Sequence, residues 1–150
     1  MDLTGIQLTR VNLTNTNFTN TNLTNAKIEQ TNISGAKFLA SILTGLRTNV
    51  ITGTPQNLPA KWVMVNAYTS HFNTWGGNLV GPGANLQNAK LNYVNLPAID
   101  LTGANLTNTT LVEANLTGAT LIGANGTLIS GTPVALPYGW NIINGTLTQT

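Results

Sequence analysis

Few residues in this chain could do acid–base or metal chemistry. There is one histidine, His71, four carboxylates (Asp2, Glu29, Asp100 and Glu113) and no cysteine. A nucleophile relay or a metal site would need His71 to converge with a carboxylate, and none lies near it in sequence. Disulfides and thiolate metal sites are excluded outright. The glycine-rich stretch GGNLVGPGANL, residues 76–86, lacks the Lys-Ser/Thr of a phosphate loop and predicts turns instead. His71 is expected to be a loop-packing residue. The expectation is therefore no catalytic residue, no cofactor and no metal, hence no enzyme.

Charge narrows the partners. Six Lys/Arg stand against four Asp/Glu, a net charge of +2, and the basic residues Arg10, Lys27, Lys37, Arg47, Lys61 and Lys90 are scattered. No run or aromatic interleaving marks a nucleic-acid footprint. No run of about 18 apolar residues predicts a membrane span, and no signal peptide is visible after Met1. The expected partner is a protein, with no nucleic acid and no membrane, in the cytoplasm by default. Aliphatic and aromatic residues make up 41% of the 150 residues and charged ones 7%, so the chain is a folded domain and not a disordered polar tract.

The element that carries these residues is a period of five. From the start the sequence divides into MDLTG, IQLTR, VNLTN, TNFTN, TNLTN, AKIEQ, TNISG, AKFLA and SILTG. The third positions are Leu3, Leu8, Leu13, Phe18, Leu23, Ile28, Ile33, Phe38 and Leu43. A second block from Ala84 to Gly123 places Leu86, Leu91, Leu96, Leu101, Leu106, Leu111, Leu116 and Leu121 at the same position. Seventeen large apolar residues at a spacing of five suit neither one helix stripe nor one strand face. They fit a chain in which each pentapeptide is a tiny strand followed by a bend. First and third residues then point inward, and the second, fourth and fifth face water.

The units VNLTN, TNLTN, ANLTN and ANLTG resemble the pentapeptide-repeat family motif A(D/N)Lxx. The resemblance implies an all-β fold, a right-handed quadrilateral parallel β-helix with four pentapeptides per square coil. Residues 20 apart then stack at about 4.8 Å, giving the ladders Leu3/Leu23/Leu43, Leu8/Ile28, Leu13/Ile33, Phe18/Phe38, Leu86/Leu106, Leu91/Leu111, Leu96/Leu116 and Leu101/Leu121. The carboxylates fall at or beside outward positions, on different faces of such a coil.

A larger duplication overlies the repeat at an offset of 78 residues. It pairs Gly53/Gly131, Thr54/Thr132, Pro55/Pro133, Leu58/Leu136, Pro59/Pro137 and Trp62/Trp140. Each GTPxxLPxxW segment predicts an excursion in which two prolines break the ladder, followed by a short strand at WVMV and WNII. The reading is one solenoid domain over 1–150, with repeats at 1–45 and 84–123 and two Pro/Trp excursions at 46–83 and 124–150. The excursions resemble insertions in cyanobacterial members of that family. Trp62, Trp75 and Trp140 are the candidate interaction residues, and a Trp flanked by apolar alternation can equally plug the solenoid. With no amphipathic capping helix, the ends are expected to self-associate end to end, to be partly capped by the excursions, or to continue into a longer chain.

Three function classes follow. The leading one is a non-enzymatic β-helical scaffold or protein-interaction module. The second comes from the resemblance: some members imitate DNA and bind a topoisomerase, which needs a strongly negative surface that four acidic residues do not supply. The third is ice or carbohydrate binding by outward Thr rows such as Thr4, Thr24 and Thr44, with Thr14 and Ser34 alongside. Lys27, Glu29, Lys37 and Leu39 interrupt the other faces. Asn-x-Ser/Thr sequons at Asn12, Asn17, Asn22, Asn32, Asn105, Asn108, Asn115, Asn125 and Asn144 arise from the repeat itself and carry no signal for glycosylation.

Overall fold

A computed structural model describes residues 1–69 and 74–150, with side chains given for 1–66 and 76–150. Its unit is a four-residue turn. The Leu3 carbonyl accepts from the Ile6 N–H at 3.1 Å and the Leu13 carbonyl from the Thr16 N–H at 3.0 Å, and the pattern repeats around the coils. The fifth residue takes a positive φ, as in Asn15, Asn20 and Asn25 at 56–58°. Asn tolerates that conformation better than most side chains, which explains its frequency at this position. The second-position Asn or Asp closes the same turn from outside. The Asn22 Oδ1 accepts from the Thr24 N–H at 3.1 Å and its hydroxyl at 2.6 Å, and Asn12/Thr14, Asn32/Ser34, Asn115/Thr117 and Asp2/Thr4 repeat the arrangement. The Asn/Thr monotony is thus local turn chemistry.

Four such turns make one square coil of a right-handed quadrilateral parallel β-helix. Parallel bridges link residues 20 apart: Asp2 to Asn22 to Ile42, Asn12 to Asn32 to Thr52, and Asn17 to Lys37 to Asn57. Strands β1 (Gln7–Thr9), β2 (Lys27–Glu29) and β3 (Arg47–Asn49) are one face of this stack, paired in the same register. The second block follows suit, from Asn85 to Asn105 to Asn125 and from Asn95 to Asn115 to Ala135. The Phe18 and Phe38 rings stack at 5.2 Å, inclined by 17°. Of the seventeen third-position residues all are buried except Leu3 and Leu8, which are half-buried in the first coil. Several polar residues turned inward find partners: the hydroxyls of Thr31 and Thr109 donate to the Leu8 and Leu86 carbonyls at 3.1 and 2.9 Å, and that of Ser41 to the Phe38 carbonyl at 2.7 Å.

The square register runs further than expected. Bridges at Thr52 and Asn57, and at Ser130 and Ala135, carry it through the GTPxxLP segments. Departure from the coil therefore comes after the second proline of each segment and not at 46 and 124. The prolines sit where the ladder can spare their missing N–H, with the Gln56 and Val134 N–H groups donating to Ala36 and Ala114 on either copy. Six coils result: 2–21, 22–41, 42–61, 80–99, 100–119 and 120–139.

Each excursion is a β-hairpin. In the first, β4 (Val63–Thr69) pairs antiparallel with β5 (Thr74–Val80), and β5 docks on coil 3. Ile51 and Gly77 exchange both backbone hydrogen bonds, at 3.1 and 2.8 Å, and the Leu79 N–H donates to the Thr48 hydroxyl at 2.8 Å. The glycines expected to make turns here mostly serve close approach instead. A Cβ on Gly76 would stand 2.9 Å from the Val50 Cα, one on Gly77 2.9 Å from the Ile51 carbonyl oxygen, and one on Gly81 2.5 Å from the Trp62 ring. Only Gly83, at φ +70°, bends the chain back into a coil.

The two blocks are one solenoid. The Gly45 N–H donates to the Gly83 carbonyl at 2.7 Å and the Asn85 N–H to the Leu46 carbonyl at 3.0 Å, as Lys27 N–H does to Ile6 within the first block. Asn85 therefore stacks on Arg47, 38 residues away, and the first hairpin is an 18-residue insertion into a 20-residue coil. The second hairpin, β6 (Trp140–Ile143) with β7 (Thr146–Gln149), turns through Asn144-Gly145, both at positive φ, the demand of a type I′ turn. It covers the last coil: the Ile129 N–H donates to Gly145 at 2.8 Å and the Leu147 N–H to Gly126 at 2.9 Å.

Candidate interaction surface

The coil spends most of its charged groups on itself. Glu29 lies between Lys27 at 3.2 Å and Arg47 at 3.1 Å, bridging two coils. Asp100 accepts from the Lys61 ammonium at 2.8 Å; that bond, together with the N–H and hydroxyl of Thr102, holds its carboxyl at about 2. The Thr4 hydroxyl and N–H likewise lower the pKa of Asp2. Asp2 and Asp100, expected on different faces, share one: the column of Asp2, Asn22 and Ile42 continues across the junction to Asp100 and Thr120, four coils from Asp2. That separation, on the order of 20 Å from four strand spacings, keeps them from acting as a pair. Among the described residues no three His, Cys, Asp or Glu come together, and His71 lies outside those residues.

The tryptophans part ways. Trp62 is 9% exposed, with Gly81 against its ring, and belongs to the core. Trp140 is half-buried and packs on the core from its edge. The Trp75 backbone pairs with Tyr68 in the first hairpin, and its side chain lies outside the described ones. Trp140 borders an open cavity of about 430 Å³ with Thr132, Pro133, Val134, Leu136 and Asn141. A second cavity, about 400 Å³, lies between Lys61, Val63, Pro97, Ile99 and Asp100 where the first hairpin meets coils 4 and 5.

Reading for tryptophans missed the apolar rim of coil 6. Ile122 and Leu128 are each 70% exposed, Val134 65%, and Tyr138 fully exposed, and Ile143 on the second hairpin is exposed as well. One coil earlier the counterparts of Ile122 and Leu128 are Thr102 and Asn108, ordinary outward residues of the repeat. The signal was legible in part: Ile122 at a fourth position and Leu128 and Tyr138 at fifth positions stand where Thr, Asn and Gly are commonest, and Leu39 and Tyr93 are single exposed cases of the same kind in other coils.

The family profile described as pentapeptide repeats matches the chain in eight copies, over residues 2–38, 82–118 and 99–125. Among solved structures the chain is similar to Rfr23, a pentapeptide repeat protein from the cyanobacterium Cyanothece 51142. Identity is 22% over 87% of this chain and 84% of that one, with a TM-score of 0.28. It is also similar to a trypsin-treated variant of QnrB1, a plasmid-mediated fluoroquinolone resistance protein, at 14% identity over 83% and 72% of the two chains and a TM-score of 0.37. A third similarity is to HetL, a pentapeptide repeat protein involved in heterocyst differentiation regulation from Nostoc sp. strain PCC 7120. It is 28% identical over 79% of this chain and 37% of that one, with a TM-score of 0.22. No curated protein matches the sequence. At these TM-scores the overlays say nothing about partner or activity. Among the described residues, no helix is long and apolar enough to cross a membrane.

Proposed function

The chain belongs to the pentapeptide-repeat family, and we propose that it is a non-enzymatic scaffold that binds a protein through the apolar rim of coil 6. The observation that carries this reading is the change from Thr102 and Asn108 to the exposed Ile122 and Leu128, continued by Val134 and Tyr138. Exposed large apolar residues gathered at one end of a molecule are the usual chemistry of a protein contact. The alternatives fit less well. A DNA mimic needs free negative charge, whereas Glu29 and Asp100 are paired with cations. An ice- or glycan-binding array needs free hydroxyls, whereas those of Thr4, Thr14, Thr24 and Ser34 donate to their own Asp or Asn.

The test is a photo-crosslinking amino acid at position 138 or, as control, at position 14, followed by illumination in a lysate of the source cells. The expected result is one discrete protein adduct at 138, lost on Ile122→Asp with Leu128→Asp, and none at 14. No adduct at 138, or equal adducts at both positions, would overturn the rim as the docking surface. Potent inhibition in a gyrase supercoiling assay would favour the DNA-mimic class instead.

A further inference from the structure

The internal junction shows how this protein accepts another coil. Coil 3 presents the Gly45 N–H and the Leu46 carbonyl, and coil 4 supplies the Gly83 carbonyl and the Asn85 N–H. The entering chain arrives from a hairpin strand docked on Ile51 and Thr48. Coil 6 repeats the acceptor side at the 78-residue offset, with Gly123 and Ala124 for Gly45 and Leu46, and Ile129 for Ile51. The Gly123 N–H and the Ala124 carbonyl have no backbone partner among the described residues.

The entering side exists a second time as well, at the start of the chain. Residues 1–8 stand 78 before Leu79–Leu86, so Gly5 and Gln7 are the counterparts of Gly83 and Asn85. The Gly5 carbonyl accepts only from the side chain of Gln7, and the Gln7 N–H faces the open side of the first coil. Opposite ends of the molecule thus carry the two halves of one junction. A contact between them is heterologous and does not close, so it would propagate as a linear chain.

The tail stands in the way. Leu147 bonds Gly126 and Gly145 bonds Ile129 as Leu79 bonds Thr48 and Gly77 bonds Ile51. Leu147–Thr150 therefore hold the places of Leu79–Pro82, which are also the places Met1–Thr4 of an incoming copy would take. We propose that the edge of coil 6 is a self-association surface for the first coil of a second copy, held shut by residues 147–150. Displacing the tail opens the slot, and Met1–Leu8 of the next molecule enters in the register of Leu79–Leu86. This rests on the duplication and not on the partner proposed for the rim.

Sedimentation velocity on four chains tests it: the unaltered protein, a variant lacking residues 146–150, the untruncated chain with Leu147→Asp, and the shortened chain with Gln7→Pro. The unaltered protein is expected to stay monomeric as concentration rises. The shortened chain and Leu147→Asp should form assemblies of more than two chains whose mass grows with concentration. Gln7→Pro, which removes the outward N–H and frees the Gly5 carbonyl of the Gln7 side chain, should return the shortened chain to monomer. Monomeric tail variants with native circular dichroism would overturn the proposal. So would assembly that Gln7→Pro leaves unchanged, assembly that stops at a dimer, or polymers of the unaltered protein.

Discussion

The two hairpins begin from matching sequence and dock on matching residues, yet one is built into the rod and the other lies over its end. Both follow a GTPxxLPxxW segment, and both set a glycine against an isoleucine of the coil, Gly77 on Ile51 and Gly145 on Ile129. What differs is what lies beyond. The first hairpin is followed by coil 4, which buries Trp62, and its base carries Lys61, bonded to Asp100 of coil 5. In the second, Gly139 stands for Lys61 and Asn141 for Val63, and Trp140 is only half covered. The same local device serves as a spacer between coils 3 and 4 and as a cover over the edge of coil 6. Its neighbours decide the role, and its outward residues are adjusted to match.

Truncating the two tryptophans should separate the roles most strongly. Trp62→Ala is expected to cost about 3–5 kcal/mol, the range for a large aromatic in a packed core, and Trp140→Ala about half that. Urea denaturation measures both, and equal losses would erase the distinction. Next comes steric docking. Gly77→Val drives a branched side chain into the Ile51 backbone and should cost about 1–3 kcal/mol or more, loosening coil 4 from coil 3. Gly145→Val meets the Ile129 carbonyl at 3.2 Å from its Cβ and strains a φ of +75°, but it should fray only the end. Hydrogen exchange distinguishes the two: the first should raise exchange in residues 83–99, the second only in residues 126–150.

The smallest effect is electrostatic and belongs to the first hairpin alone. Asp100 is held at about 2 in the folded protein, below the roughly 3.9 of an unstructured carboxylate. Its contribution is therefore present above about pH 4 and lost as pH falls through about 2. Lys61 is 67% exposed, so solvent screens the pair and its worth is below about 1 kcal/mol. Lys61→Met should raise the Asp100 pKa in an NMR titration and lower stability slightly at neutral pH, with the difference shrinking as pH falls through about 2.

The sequence made the square coil legible because the period is enforced at every turn. A large residue at each third position and Asn or Gly at each positive-φ corner leave one winding, and Phe18 over Phe38 marks its length. The course of the first excursion was not legible in the same way. Its register depends on a total insertion of 18 residues, a number no local side chain encodes. Gly76 and Gly77 look like turn glycines until the Val50 and Ile51 backbone they lie against is known. The Asn144-Gly145 turn was legible in principle from that dipeptide between two apolar runs. The coil-6 rim was legible too, from large apolar residues at outward positions, but reading inward positions for the core draws attention away from it.

The central claim is that coils 3 and 4 stack directly, so that one solenoid runs through both blocks. The chain has no cysteine, which makes engineered disulfides a clean ruler. Arg47→Cys with Asn85→Cys places two thiols on adjacent coils, within the Cα separation of about 4.4–6.8 Å that a disulfide requires. Lys27→Cys with Arg47→Cys, a pair in direct strand register, is the control. Mass spectrometry after mild oxidation should find an intramolecular disulfide in both variants. A disulfide in the control with free thiols at 47 and 85 would contradict the account and leave two separate blocks joined by a linker.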